Sequence, residues 1–75
     1  MRGWIEGIQE SMDFMEQNLT EELEIEAIAG KAALSPFYFQ RIFGDLCGMT
    51  VGEYIRARRM TLAARAAGLF PRRRL

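Results

Sequence analysis

The strongest constraint on this chain lies between Glu24 and Leu46, where two amphipathic stretches meet with almost no connector. From Glu24 to Ala33, helical spacing puts Ile25, Ile28, Ala29 and Ala32 on one side and Glu24, Glu26 and Lys31 elsewhere. Ser35 then stands directly before Pro36, an N-cap followed by the residue best suited to a first helical position. Leu34 and Phe39 have the spacing of a hydrophobic staple across that cap. Only Ala33 and Leu34 separate the two helices, so they must cross steeply through a tight turn. In the helix that starts at Pro36, Phe39, Ile42, Phe43 and Leu46 share a 100° sector and are expected to face the core. Phe37, Gln40, Arg41, Gly44 and Asp45 project on the other side.

The flanking segments are also helical in pattern. Trp4, Ile5, Ile8, Met12, Met15 and Leu19 form one apolar stripe, which predicts a first helix over about 3–18. Gly3 and Gly7 are expected to weaken it by about 1 kcal/mol each, and Phe14 falls off the stripe, either exposed or a contact for something else. Gly48 occupies a left-handed cap position, Thr50 and Glu53 form a capping box, and Met49 and Tyr54 staple the same end. A fourth helix is therefore predicted from Val51 to about Ala67, stopped by Gly68 and Pro71. With helices at about 3–18, 24–33, 36–47 and 51–67, the chain reads as all-α: residues 1–70 one module, residues 71–75 a basic and disordered tail. No repeat or interdomain linker breaks the pattern.

Seventy-five residues support one small core of marginal stability. Cys47 is the sole cysteine and histidine is absent, so an intrachain disulfide, the usual zinc spacings and the commonest general base are all missing. Cys47 reads as a small hydrophobe, and Met12, Met15 and Met60 as core or interface filler. No phosphate-binding glycine loop or nucleophile motif occurs. The expectation is a protein without catalytic residues, metal or cofactor. No apolar run approaches the roughly eighteen residues that span a bilayer, and the N-terminus lacks a secretory layout, so a soluble, cytoplasmic chain is expected.

A net charge of zero conceals a division along the chain. Residues 1–26 hold eight acids against Arg2 alone, a charge of −7, whereas residues 27–75 hold nine bases and two acids, a charge of +7. A basic half can attract phosphate while an acidic half faces away. Arginine can pair bidentately with guanine O6 and N7, and glutamine with adenine N6 and N7, so Gln40 and Arg41 on an outward helix face suit major-groove reading. Phe37, one turn before Arg41, suits a thymine methyl or a sugar, and Gly44 keeps the face flat. Spacing alone leaves equally open that Gln40 and Arg41 are ordinary solvated residues.

Three runs taken together decide between these readings: Leu23 to Ala29, Leu34 to Phe43 (LSPFYFQRIF), and Gly48 to Met60 (GMTVGEYIRARRM). They resemble the first half of the DNA-binding domain of AraC/XylS-type bacterial transcription regulators, over about Ile5 to Ala64. The resemblance implies two helix-turn-helix units joined by a long linker helix, each placing a recognition helix in the major groove. This chain would be the homeodomain-like half of that two-unit domain, with Pro36 to Leu46 as recognition helix and Val51 to Ala67 as linker. By the same carry-over, Phe37, Gln40 and Arg41 would face bases, and Lys31, Ser35, Thr50 and Arg56 would contact phosphates of double-stranded DNA. Arg58 and Arg59 would either follow that pattern or lie along the core and pair with acids such as Glu53 and Glu22.

The departures are equally specific. Family members continue into a second unit, whereas this chain passes through Ala66 to Phe70 and a Pro-Arg-Arg-Arg-Leu tail, so a truncated domain is expected. Ala33 stands at a turn position where glycine is common, and Gly44 and Asp45 replace residues that are often basic. An alternative reading is a protein-interaction half-domain that binds itself or another regulator and has little DNA affinity of its own. The fourth helix supports association: Val51, Ile55, Leu62 and Ala66 share one face, while Met60, Ala64 and Ala67 lie opposite, continuing to Phe70. A homodimer through that opposite strip is expected.

Overall fold

The computed structural model describes residues 3–68, and they form four α-helices: α1 (Trp4–Gln17), α2 (Ile25–Lys31), α3 (Pro36–Cys47) and α4 (Val51–Ala66). Phe70 and the 71–75 tail lie outside the described residues. No helix among the described residues is long and apolar enough to cross a membrane.

The helix ends follow from local chemistry. The Ser35 hydroxyl accepts the Tyr38 N–H at 3.3 Å, with Pro36 opening α3. At α4 the exchange is reciprocal: Thr50 N–H donates to Glu53 Oε1 at 2.9 Å and Glu53 N–H to Thr50 Oγ1 at 3.0 Å. The first helix has half of this arrangement, since Glu6 accepts the Gly3 N–H at 2.7 Å and glycine has no side chain to answer. Gly48 ends α3 with φ +71°.

Between α2 and α3 the chain turns through Ala33 at φ +58°. Leu34 N–H reaches back to the Ala29 carbonyl at 3.1 Å and Ala33 N–H to the Gly30 carbonyl at 3.1 Å, which is a Schellman motif with alanine in the left-handed position. The alanine Cβ is crowded by the backbone in that conformation, at a cost of about 1–2 kcal/mol. The turn thus tolerates local strain to set the crossing of α2 and α3.

Phe39 and Phe43 of α3 are fully buried, surrounded by Ile8, Met15, Leu19, Ile28, Ala29, Val51 and Ile55. Tyr54 closes one side with its ring edge-on to Phe43, centroids 5.4 Å apart. Three expectations need correction. Leu46 is 53% exposed and belongs to the surface: it shares the apolar sector but stands in the last turn of α3, beyond the buried Phe43. The buried meridian of α1 runs through Gly7, Ile8, Ser11 and Met15, rotated by about 50° from the stripe of large side chains. The reason is size. A Cβ on Gly7 would come within 3.1 Å of the Ala32 carbonyl oxygen and 3.2 Å of its Cα, so the small residues mark where α1 presses closest on α2. Gly7 is thus a packing residue rather than merely a weak helix former. Ser11, fully buried, satisfies its hydroxyl on the Ile8 carbonyl at 2.6 Å.

In consequence Ile5 turns outward, and Trp4, though near the meridian, lies in the exposed first turn. Phe14, on the other flank, packs against the core and carries Lys31 Nζ 4.9 Å from its ring centroid. The core-facing side of α4 narrows along its length, with Val51 and Ile55 buried but Leu62 and Ala66 exposed.

The strained turn at Ala33 and the close approach at Gly7 give opposite expectations. Ala33→Gly should raise unfolding stability by about 1 kcal/mol, since the left-handed conformation costs glycine little. Gly7→Ala should lower it by up to about 2 kcal/mol despite the better helix propensity of alanine, because Ala32 backbone blocks the methyl. Urea denaturation followed by circular dichroism measures both, and a gain for Gly7→Ala would contradict the close packing of α1 on α2.

Candidate nucleic-acid interface

With Phe39 and Phe43 locked inside, α3 must show its opposite face to solvent. Phe37 is 67% exposed, and Phe37, Gln40 and Arg41 line one open depression. The structure therefore brings the three base-reading candidates together. Tyr38 joins this surface, exposed, with its ring edge-on to Phe37 at 5.7 Å. Helical projection places Tyr38 at the border of the outward face, so spacing alone does not single it out.

Gln40 also lines a second groove, shared with Leu23, Ile25, Ile28 and the start of α4 at Val51, Gly52 and Ile55. That groove connects the outer face of α3 with the N-terminus of α4. There the missing side chain of Gly52 leaves room for two neighbours: a Cβ at Gly52 would lie 3.7 Å from Arg56 Nη1 and 4.0 Å from Thr50 Oγ1. Thr50 and Arg56, two of the phosphate candidates, thus both come close to Gly52, at the start of a helix whose first N–H groups have no acceptor within it. Ser35 is exposed at the start of α3. Lys31, exposed at the end of α2, is held over Phe14 on the other flank. No described side chain pairs with Arg41 or Arg56.

Arg58 and Arg59 are committed elsewhere. Arg58 grips Glu16 of α1 with two parallel bonds, Nε to Oε1 at 2.5 Å and Nη2 to Oε2 at 3.1 Å. Arg59 donates to the Leu19 carbonyl at 2.9 Å and the Glu21 carbonyl at 2.7 Å. Their partners are therefore Glu16 and loop carbonyls, rather than Glu53 and Glu22. Glu53 is occupied in its capping box, and the Glu16 contact spans 42 residues, beyond what spacing can reveal. The hydrogen bond from Arg58 holds the Glu16 carboxyl below its usual pKa, reinforced by the charges of Arg58 and Arg65 against the opposing effect of burial. Arg58 is correspondingly raised. These two arginines fasten α4 to α1 and to the α1–α2 loop.

The family profile of bacterial regulatory helix-turn-helix proteins of the AraC family matches residues 15–56, more than half of the chain and the segment that holds this surface. Three curated relatives share it. The TetD protein of transposon Tn10 from Escherichia coli is 42% identical over 57 residues, covering 76% of this chain and 41% of that protein. Regulatory protein SoxS of Salmonella typhimurium is 39% identical over 57 residues, covering 76% of this chain and 53% of that protein. The right origin-binding protein of Escherichia coli is 37% identical over 65 residues, covering 87% of this chain and 22% of that protein. The chain thus spans about half the length, or less, of these relatives. No solved structure shows a significant match to it. The chain belongs to the AraC family of bacterial regulatory helix-turn-helix proteins, a class whose work is DNA binding in transcription regulation.

The Glu16–Arg58 pair carries a pH signature. A carboxyl whose pKa is lowered on folding stabilises fully above the unfolded-state value near 4.5 and loses that contribution as the pH falls through the folded-state value. Both side chains are more than a third exposed, at 36% and 37%, so solvent screening limits the effect to less than about 1 kcal/mol. Glu16→Gln should therefore be less stable than the parent chain at neutral pH and nearly equal to it at about pH 3. Urea midpoints across that range test this, and an undiminished difference in acid would show that the pair contributes through packing instead.

Proposed function

We propose that this chain reads duplex DNA sequence-specifically with α3 in the major groove. The observation that carries the reading is the depression shared by Phe37, Gln40 and Arg41 on a helix whose opposite side buries Phe39 and Phe43 completely. In this reading Arg41 takes guanine O6 and N7, Gln40 takes adenine N6 and N7, and Phe37 meets a thymine methyl. Lys31, Ser35, Thr50 and Arg56 hold flanking phosphates and fix the register of α3. The Ser35 and Thr50 hydroxyls each accept a backbone N–H, which leaves the O–H free to donate to a phosphate oxygen. Such a module positions transcription machinery on DNA and does no chemistry itself, in the cytoplasm where bacterial DNA lies. Two of the relatives, one a regulatory protein and one an origin-binding protein, support the same class of role.

A single unit with three or four phosphate contacts should bind with micromolar affinity or weaker, and its logarithmic binding constant should fall by about 3 per tenfold rise in salt. Arg41→Ala and Gln40→Ala should each cost about 1–3 kcal/mol on the preferred site, whereas Arg56→Ala should weaken all sequences alike. Fluorescence anisotropy on preferred and random duplexes measures both effects. Equal behaviour of Arg41→Ala and Arg56→Ala on the two duplexes would overturn the placement of α3 in the groove.

One further surface favours self-association beside DNA binding. Met60 is 72% exposed, and Ala57, Met60, Thr61 and Ala64 line an open depression on α4, with Ala67 exposed beyond it. We infer that a second copy of the chain packs there about a two-fold axis, where small side chains permit close helix approach. The assigned contacts are Met60, Ala64 and Ala67; Phe70, the further expected contact, lies outside the described residues. Sedimentation should find a dimer at tens of micromolar, roughly where a modest interface is populated. Met60→Glu should give a monomer of unchanged helicity, and a monomeric parent chain would refute the interface.

A further inference from the structure

Asp45 is the one acidic side chain on the outward face of α3, and the reading proposed above leaves it without a role. It follows Arg41 by one turn, at a spacing where helix side chains are neighbours. Yet it is exposed and pairs neither with Arg41 nor with any other described side chain. The residues beside it, Trp4, Ile42 and Leu46, carry no charge to offset its own. A helix carrying this face into the major groove takes an unneutralised carboxylate with it.

We propose that Asp45 is a specificity-determining residue that selects cytosine. An ionised carboxylate only accepts hydrogen bonds. On the major-groove edge guanine offers the acceptors N7 and O6, thymine the acceptor O4, and adenine a donor beside the acceptor N7. Cytosine alone offers its N4 amino donor without an acceptor of its own. Phosphate is excluded by like charge. At guanine and thymine the carboxylate loses water and gains no partner, and at adenine the N7 lone pair beside the amino donor opposes it, so the selection works chiefly by penalising wrong sequences. One helical turn is about 5.4 Å and successive base pairs are about 3.4 Å apart, which puts this cytosine one or two base pairs from the guanine taken by Arg41.

The inference rests on the groove-reading function, and one experiment separates their failures. The chain and its variants Asp45→Ala and Arg41→Ala are each used at low salt to select from a randomised duplex pool, and the bound sequences are counted. The parent chain should enrich cytosine about fivefold or more at one position beside a preferred guanine. Asp45→Ala should lose the cytosine preference and keep the guanine, while Arg41→Ala should lose the guanine. Persistence of cytosine enrichment in Asp45→Ala overturns the proposal, as does a uniform gain in binding, which would make the carboxylate a mere repellent. Loss of the guanine preference in Asp45→Ala also overturns it, because Asp45 would then act through Arg41. Absence of any sequence preference in the parent chain defeats the groove-reading function itself, and the role of Asp45 with it.

Discussion

Everything on the outward surface depends on the approach of α1 to α2 at Gly7 and Ala32. The contact is so close that the Ala32 backbone would obstruct a single methyl group on Gly7. It holds the end of α2 in place one residue before the chain turns through Ala33 into the left-handed region. The direction of α3 is therefore set by two backbone features in succession, a close approach and a strained turn. Rigid placement matters for a reading helix, since hydrogen bonds to base edges tolerate little displacement. Phe39 and Phe43 then fix its rotation, because burying both leaves Phe37, Gln40 and Arg41 only one direction in which to point.

The arginines divide by what lies within their reach. Arg58 and Arg59 find a carboxylate and two loop carbonyls and spend their donors on holding α4 against the acidic N-terminal third. Arg41 and Arg56 pair with no described side chain, so their charge is left uncompensated. The opposed charges of the two parts of the chain thus serve two purposes at once. Across the α1–α4 contact they attract, and on the outer surface they leave a basic side unbalanced.

Elements whose cause is local were legible in the sequence. The caps at Ser35, Thr50 and Gly48 and the burial of Phe39 and Phe43 depend on neighbours within a turn or two. What resisted reading depends on distance or on smallness. The burial of Gly7 and Ser11 escaped because hydrophobic periodicity weighs bulk, whereas closest approach selects the residues with least of it. The Arg58–Glu16 pair escaped because no local rule links positions so far apart. For the reading surface, spacing could show that Phe37, Gln40 and Arg41 shared a side; only the fold shows them lining one depression that Gln40 joins to the start of α4.

The charge balance of the outward face also shapes what kind of reader this surface makes. Arg41 contributes one positive charge and Asp45 one negative, so the part of α3 that enters the groove is close to neutral. Attraction to DNA in general would then come from the rim, through the proposed phosphate contacts of groups such as Lys31 and Arg56. Nonspecific affinity scales with the number of phosphates neutralised, and a rim of few cations keeps it low. Discrimination is a separate quantity, set in the proposed reading by how badly a wrong base pair would leave Arg41, Gln40 or Asp45 unpaired. On the proposed reading, a surface built this way would bind weakly but distinguish sequences well for its strength. Joining it to a second reading unit, or to a second copy of itself, raises occupancy through effective concentration and leaves that discrimination intact. The exposed strip on α4 around Met60 lies on the helix where such a connection would be made.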